Sequence, residues 1–136
     1  MHFIIEYYVI AESGLCYYSK SKQKAVDQDL FSGFIFALIS ISRQIISDGI
    51  TSLVLKNRKY TIAKKRGLLF VACTETKVKD SVIRKELVEM QQIFLQLFST
   101  AILANWNGNM ALFKDLAPHY DKYFTETTAE RMKSLF

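Results

Sequence analysis

The sequence predicts an α/β (α+β) layered sandwich: a five-stranded, mainly antiparallel sheet in the order β-β-α-β-β-β-α-α, with one helix on one face and two on the other. Three observations lead there. Short runs rich in β-branched and aromatic residues come first as a pair and then as a triplet. Two long stretches carry apolar residues at helical spacing, one between the two groups of strands and one after them. Half of the 136 residues are hydrophobic, which supplies one packed core and is unlike a disordered chain.

The elements follow in order. Phe3 to Ala11 reads as the first strand, Glu12-Ser13-Gly14 as a turn and Leu15 to Ser19 as the returning strand of a hairpin. Tyr7, Tyr8, Tyr17 and Tyr18 face one another across this hairpin or lie on its two sides. Ser21 to Gln28 is a polar loop, and Asp27 or Asp29 suits the N-cap of a helix running from Leu30 to about Ser47. Gly49 fits the left-handed position after its end. Ile50 to Leu55 is a third strand, Asn57-Arg58-Lys59 a polar turn, Tyr60 to Ala63 a short fourth strand and Lys64 to Gly67 a basic turn. Leu68 to Thr74 is so continuously apolar that it should be buried on both faces. A long helix is expected from Asp80 to Ala104, with Ile83, Leu87, Met90, Phe94, Leu97, Phe98 and Ala101 on one stripe. Asn105-Trp106-Asn107-Gly108 ends it, and a shorter helix begins near Met110, with Pro118 either interrupting it or starting another turn. Residues 125–136 make a tail, helical and frayed, with Met132, Leu135 and Phe136 as loose anchors.

Several function classes are disfavoured. The richest apolar stretch, Leu30 to Ile46, is broken by Ser32, Gly33, Ser40, Ser42, Arg43 and Gln44, so a membrane span is not expected. The opening Met1-His2-Phe3-Ile4-Ile5-Glu6 lacks the basic start of a secretion signal, and a cytoplasmic protein, peripheral at membranes if it meets them, is expected. Cys16 and Cys73 read as small core residues, and two Cys with two His at these spacings form no zinc motif. Gly14, Gly33, Gly49, Gly67 and Gly108 are isolated, so no phosphate-binding loop is present. Glu6 falls mid-strand, where a strand edge or a lysine partner explains it better than a general base does. The expectation is a non-enzyme without cofactor or metal.

The first helix is more apolar than its sheet requires. Leu30, Phe34, Ala37, Leu38, Ile41 and Ile45 make a face sufficient to pack on a sheet, while Phe31, Ile35, Ile39 and Ile46 make a second face beside it. Together they span about 200°, where a surface helix needs roughly 100°. Either another part of the chain or a partner subunit covers the excess. The interface expected for a partner is Phe31, Ile35, Phe36, Ile39, Arg43 and Ile46, with Thr51 and Leu53 of the strand that follows. That strand, if at the sheet edge, could pair with its counterpart in a second copy.

The net charge of +5 is too modest to argue for nucleic acid. Its polar candidates are two basic turns, Lys56, Arg58 and Lys59 in one and Lys64, Lys65 and Arg66 in the other. An antiparallel arrangement puts them at opposite ends of the fourth strand. They read as solvated tips or as contacts to an anionic lipid or acidic partner.

The element order resembles the longin domain over residues 3 to 124. The resemblance rests on Ala11-Glu12-Ser13-Gly14-Leu15 between two apolar strands and on Asp29-Leu30-Phe31-Ser32-Gly33-Phe34-Ile35-Phe36-Ala37-Leu38 opening a helix. It rests also on Gly67-Leu68-Leu69-Phe70-Val71-Ala72 and on Trp106-Asn107-Gly108 followed by Phe113. The related roadblock domain begins with a helix, whereas this chain begins with a strand. The resemblance implies a longin-like domain over 1–124 of profilin-like layered shape, with 125–136 as its tail. It further implies a homodimer or a heterodimer with a related subunit, and a platform for small Ras-like GTPases in a vesicle-trafficking-like system. Two rivals stay open on the residues alone: a sensor holding a small ligand between helix and sheet, and a membrane-surface adaptor using the basic turns.

Overall fold

The computed structural model describes residues 3–11, 13–21, 33, 34, 37, 38, 40, 41, 43, 44, 49–55 and 57–123. Five antiparallel strands form one sheet in the order β2-β1-β5-β4-β3. They are β1 (Glu6–Ala11), β2 (Cys16–Ser21), β3 (Gly49–Leu55), β4 (Arg58–Lys65) and β5 (Leu68–Glu75). The first helix, α1, is described at residues 33, 34, 37, 38, 40 and 41. After the sheet come α2 (Asp80–Leu97), α3 (Thr100–Ala104), a 3-10 helix (Met110–Asp115), α4 (Leu116–Tyr120) and a closing 3-10 turn (Asp121–Tyr123). This is the α+β layered fold expected from the sequence.

Alternation along the strands sorts side chains into two layers. Tyr7 and Val9 of β1 and Leu68, Phe70 and Ala72 of β5 face α2, where Ile83, Leu87, Met90 and Phe94 cover them. Tyr8, Ile10, Ile62, Leu69 and Val71 face the other way, under Phe34, Leu38 and Ile41 of α1. β5, central and apolar, is buried from Leu68 to Thr74, as its composition foretold.

Two strands break the alternation. The β1–β2 register steps from Val9 opposite Tyr18 to Ile10 opposite Cys16, which leaves Tyr17 as an extra residue. Cys16 then packs on the α1 side, while Tyr17 and Tyr18 both turn to the α2 side. Tyr17 stacks on Phe113 at 4.7 Å and Tyr18 meets Tyr120 edge-on at 5.4 Å. At the start of β1, Ile4 joins the α2-side cluster although Tyr8 and Ile10 do not.

Three expectations about boundaries are corrected. The fourth strand is longer than Tyr60 to Ala63, because Arg58 and Lys59 continue the ladder opposite Glu75 and Thr74. The single helix expected from Asp80 to Ala104 is two, broken at Phe98 and Ser99. Ser99 Oγ accepts the Ile102 N–H at 3.2 Å and so caps a new helix, an option that serine offers the backbone in competition with continuation. Ala101 is therefore exposed rather than on the buried stripe. The element at Met110 begins as a 3-10 helix, with Asn109 Oδ1 accepting from the Ala111 N–H at 3.0 Å. Pro118 falls within the first turn of α4, where its missing N–H costs no helical bond.

Candidate partner-binding face

β3 is the end strand of the sheet among the described residues. Its seven residues keep unbroken register with β4, from Gly49 opposite Lys64 to Leu55 opposite Arg58. Thr51 lies opposite Ile62 and Leu53 opposite Tyr60, so both belong to the layer that α1 covers, and both are half-buried. Ser52 and Val54 are exposed on the other layer, Val54 with 57% of its surface open. Within α1, Leu38 is fully buried, and Phe34 lies edge-on to Tyr8 and Tyr60 at 5.8 and 5.0 Å. Ala37 and Arg43 are exposed. Of the residues expected to meet a partner, Thr51 and Leu53 lie on β3, the end strand among the described residues, and Arg43 is exposed. Phe31, Ile35, Phe36, Ile39 and Ile46 lie outside the described residues, as do the tail from 124 onward and Lys56.

The basic residues separate as expected into two groups at opposite ends of β4. Lys59 departs from its group. It is buried, and its ammonium donates to the Val78 carbonyl at 2.6 Å and to Asp80 Oδ1 at 2.7 Å. This hydrogen bond, and then the charge behind it, hold the Asp80 carboxyl below the usual carboxylate range. Lys59 is consequently a clasp between β4 and the start of α2, and not a solvated turn residue. Arg58 is half-buried, as are Lys64 and Lys65, and Arg66 is exposed. Arg66 and Gly67 have φ of 52° and 76°, the left-handed pair of a tight two-residue hairpin turn.

One cluster escaped the sequence reading. Glu6 was expected at an edge or beside a lysine. It sits instead in β1, between β2 and β5, with 7% of its surface exposed. Its Oε1 accepts the Tyr8 hydroxyl at 2.5 Å and its Oε2 the Tyr60 hydroxyl at 3.2 Å. Cys73 lies opposite Glu6 on β5, and burial, then the Glu6 charge, push its thiol up to about 12. The Tyr8 and Tyr60 hydroxyls are raised too, first by burial. Tyr8, two residues from Glu6 on one strand, could have signalled the pairing; Tyr60, 54 positions away, could not. A thiol held protonated is a poor nucleophile. No group of three His, Cys, Asp or Glu side chains among the described residues is placed to hold a metal. No described helix is long and apolar enough to cross a membrane.

Comparison with known proteins finds similar solved structures at low sequence identity. The chain is similar to MglB of Myxococcus xanthus, at 12% sequence identity over 68% of this chain and 85% of that one, with a TM-score of 0.48. It is also similar to the mammalian SRP receptor, at 14% identity over 90% of this chain and 98% of that one, with a TM-score of 0.44. No protein-family model matches the sequence, and no curated relative matches it.

Proposed function

We propose that this chain is a non-catalytic interaction domain that pairs with a second copy, or with a related subunit, through α1 and β3, and in that form serves as a platform for a small Ras-like GTPase. The observation that carries the pairing is the β3 edge: a regular seven-residue strand with Thr51 and Leu53 on the layer of α1. A regular end strand offers a row of backbone donors and acceptors to another strand. The apolar surplus of the α1 sequence supplies the driving force, since each large side chain buried contributes about 1.5–3 kcal/mol before the cost of association. The GTPase comes from the longin resemblance alone, and so does a role in membrane trafficking; both are analogies of fold.

Pairing is tested by light scattering across a dilution series. Twice the monomer mass is expected for the native chain, and the monomer mass for Ile39→Lys and for Leu53→Lys with their far-ultraviolet spectra unchanged. A native chain that stays monomeric at high concentration overturns the pairing. The GTPase reading is tested separately, by pull-down against small GTPases loaded with either nucleotide. Absence of binding in both states removes it and leaves the pairing to stand or fall by its own experiment.

A further inference from the structure

At one end of the sheet lies a cleft of about 370 Å³, lined by Phe3, Ile5, Arg58, Glu75, Lys77 and Val78. Arg58 and Glu75 are register partners on adjacent antiparallel strands. Opposite charges so placed ordinarily pair. Here Glu75 Oε2 takes the Lys77 ammonium at 3.1 Å instead. The half-buried Arg58 guanidinium makes no ion pair or hydrogen bond to any described residue. Lys59, next in the chain, is spent on Asp80. With Lys77 paired to Glu75, Arg58 is the one cation among the described lining residues without an ion pair to a described residue, and its planar donors match a carboxylate in bidentate fashion. Phe3, Ile5 and Val78 supply apolar walls beside it.

We propose that this cleft binds a small organic monocarboxylate with an apolar body, the carboxylate on Arg58 and the body against Phe3, Ile5 and Val78. The cleft is within the range of small-ligand sites, roughly 300–1,000 Å³, and its described lining is half apolar, from Phe3, Ile5 and Val78, and half charged, from Arg58, Glu75 and Lys77. A single negative charge matches the one cation that the described lining leaves without an ion pair. The inference does not depend on pairing through β3, which lies at the edge of the sheet.

The test is a titration of the full chain with 3-phenylpropionate, with 3-phenylpropionamide and with inorganic phosphate, followed by backbone amide shifts. The carboxylate should saturate and shift the amides of Ile5, Arg58 and Val78. The amide, equal in shape but uncharged, should bind at least about tenfold more weakly, as loss of a charge-assisted hydrogen bond requires. Arg58→Gln should lose affinity to the same degree with its melting curve unchanged. Val78→Trp, which fills the cleft and keeps the guanidinium, should abolish binding. If Arg58→Gln fails to fold, Val78→Trp and the amide comparison still decide. No saturable shift with the carboxylate overturns the site. So does equal binding of the amide, unchanged binding by Arg58→Gln, or shifts confined to Lys64, Lys65 and Arg66. Phosphate binding as tightly as the carboxylate would overturn the apolar half of the assignment.

Discussion

The two faces of the sheet are built on different principles. The α2 face is an aromatic interior: Phe94 lies edge-on to Phe70 at 5.6 Å, Tyr17 stacks on Phe113, and Tyr120 anchors α4 by donating to the Met90 carbonyl at 2.8 Å. The described part of the α1 face is smaller and holds a carboxylate between two tyrosine hydroxyls. One face draws its stability from buried area and ring geometry. The other draws part of it from a polar network, which costs desolvation and gives uniqueness of arrangement only while every member is present. In the pairing proposed above, the face closed by α2 and the elements after it would carry the fold while the other met the partner.

That contrast can be broken experimentally. The largest loss should follow Phe94→Ala, about 3–5 kcal/mol by denaturant titration. Leu38→Ala, on the α1 face, should fall toward the lower end of about 2–5 kcal/mol. Equal losses would mean that the two faces share the load. Tyr8→Phe should cost about 1.5–3 kcal/mol, because a donor to a buried charge is lost. Replacing Glu6, Tyr8 and Tyr60 together by Leu, Phe and Phe should regain much of that, since an apolar set leaves nothing unpaired. A triple variant weaker than the single one would show that the network is a net stabiliser.

Smaller effects appear in the pH dependence. Between the ordinary thiol value of 9.0 and about 12, the unfolded chain releases a proton from Cys73 that the folded chain retains. Stability should therefore fall as pH rises through that window, by up to roughly 1.4 kcal/mol per pH unit, and Cys73→Ala should flatten the slope. Asp80 acts with the opposite sign. Its lowered carboxyl adds stability above the ordinary value of 3.8, and this is lost as pH falls through the folded-state value. Native and Asp80→Asn stability curves should converge in acid and separate slightly above it. Asp80 is exposed, so the separation should shrink in salt.

Much of the fold was legible in the sequence because it is written in short-range patterns. Period-two runs, the turn at Ser13-Gly14 and the stripe through Ile83, Leu87, Met90 and Phe94 all declare themselves within a few residues. What failed depends on distant partners. Lys59 reads as a turn cation until Asp80 is known to sit beside it, and Glu6 reads as an edge residue until Tyr60 is brought across the sheet. Ser99 reads as one more residue on a helix face, because its capping bond competes with a continuation that the apolar stripe favours equally. Of the candidate site, the edge position of β3 was foreseen only as a condition. Strand order is a property of the sheet and not of any one segment.

The extra residue at Tyr17 bears on how such a sheet can grow. A regular strand end invites extension, and two unlike ends that fit each other would propagate without limit. Here the β2 margin carries an interruption that skews its ladder, while the β3 margin is even along its length. In the pairing proposed above, like would join like, margin β3 to margin β3. In that pairing growth would end after one addition, and a single surplus tyrosine would forestall a filament.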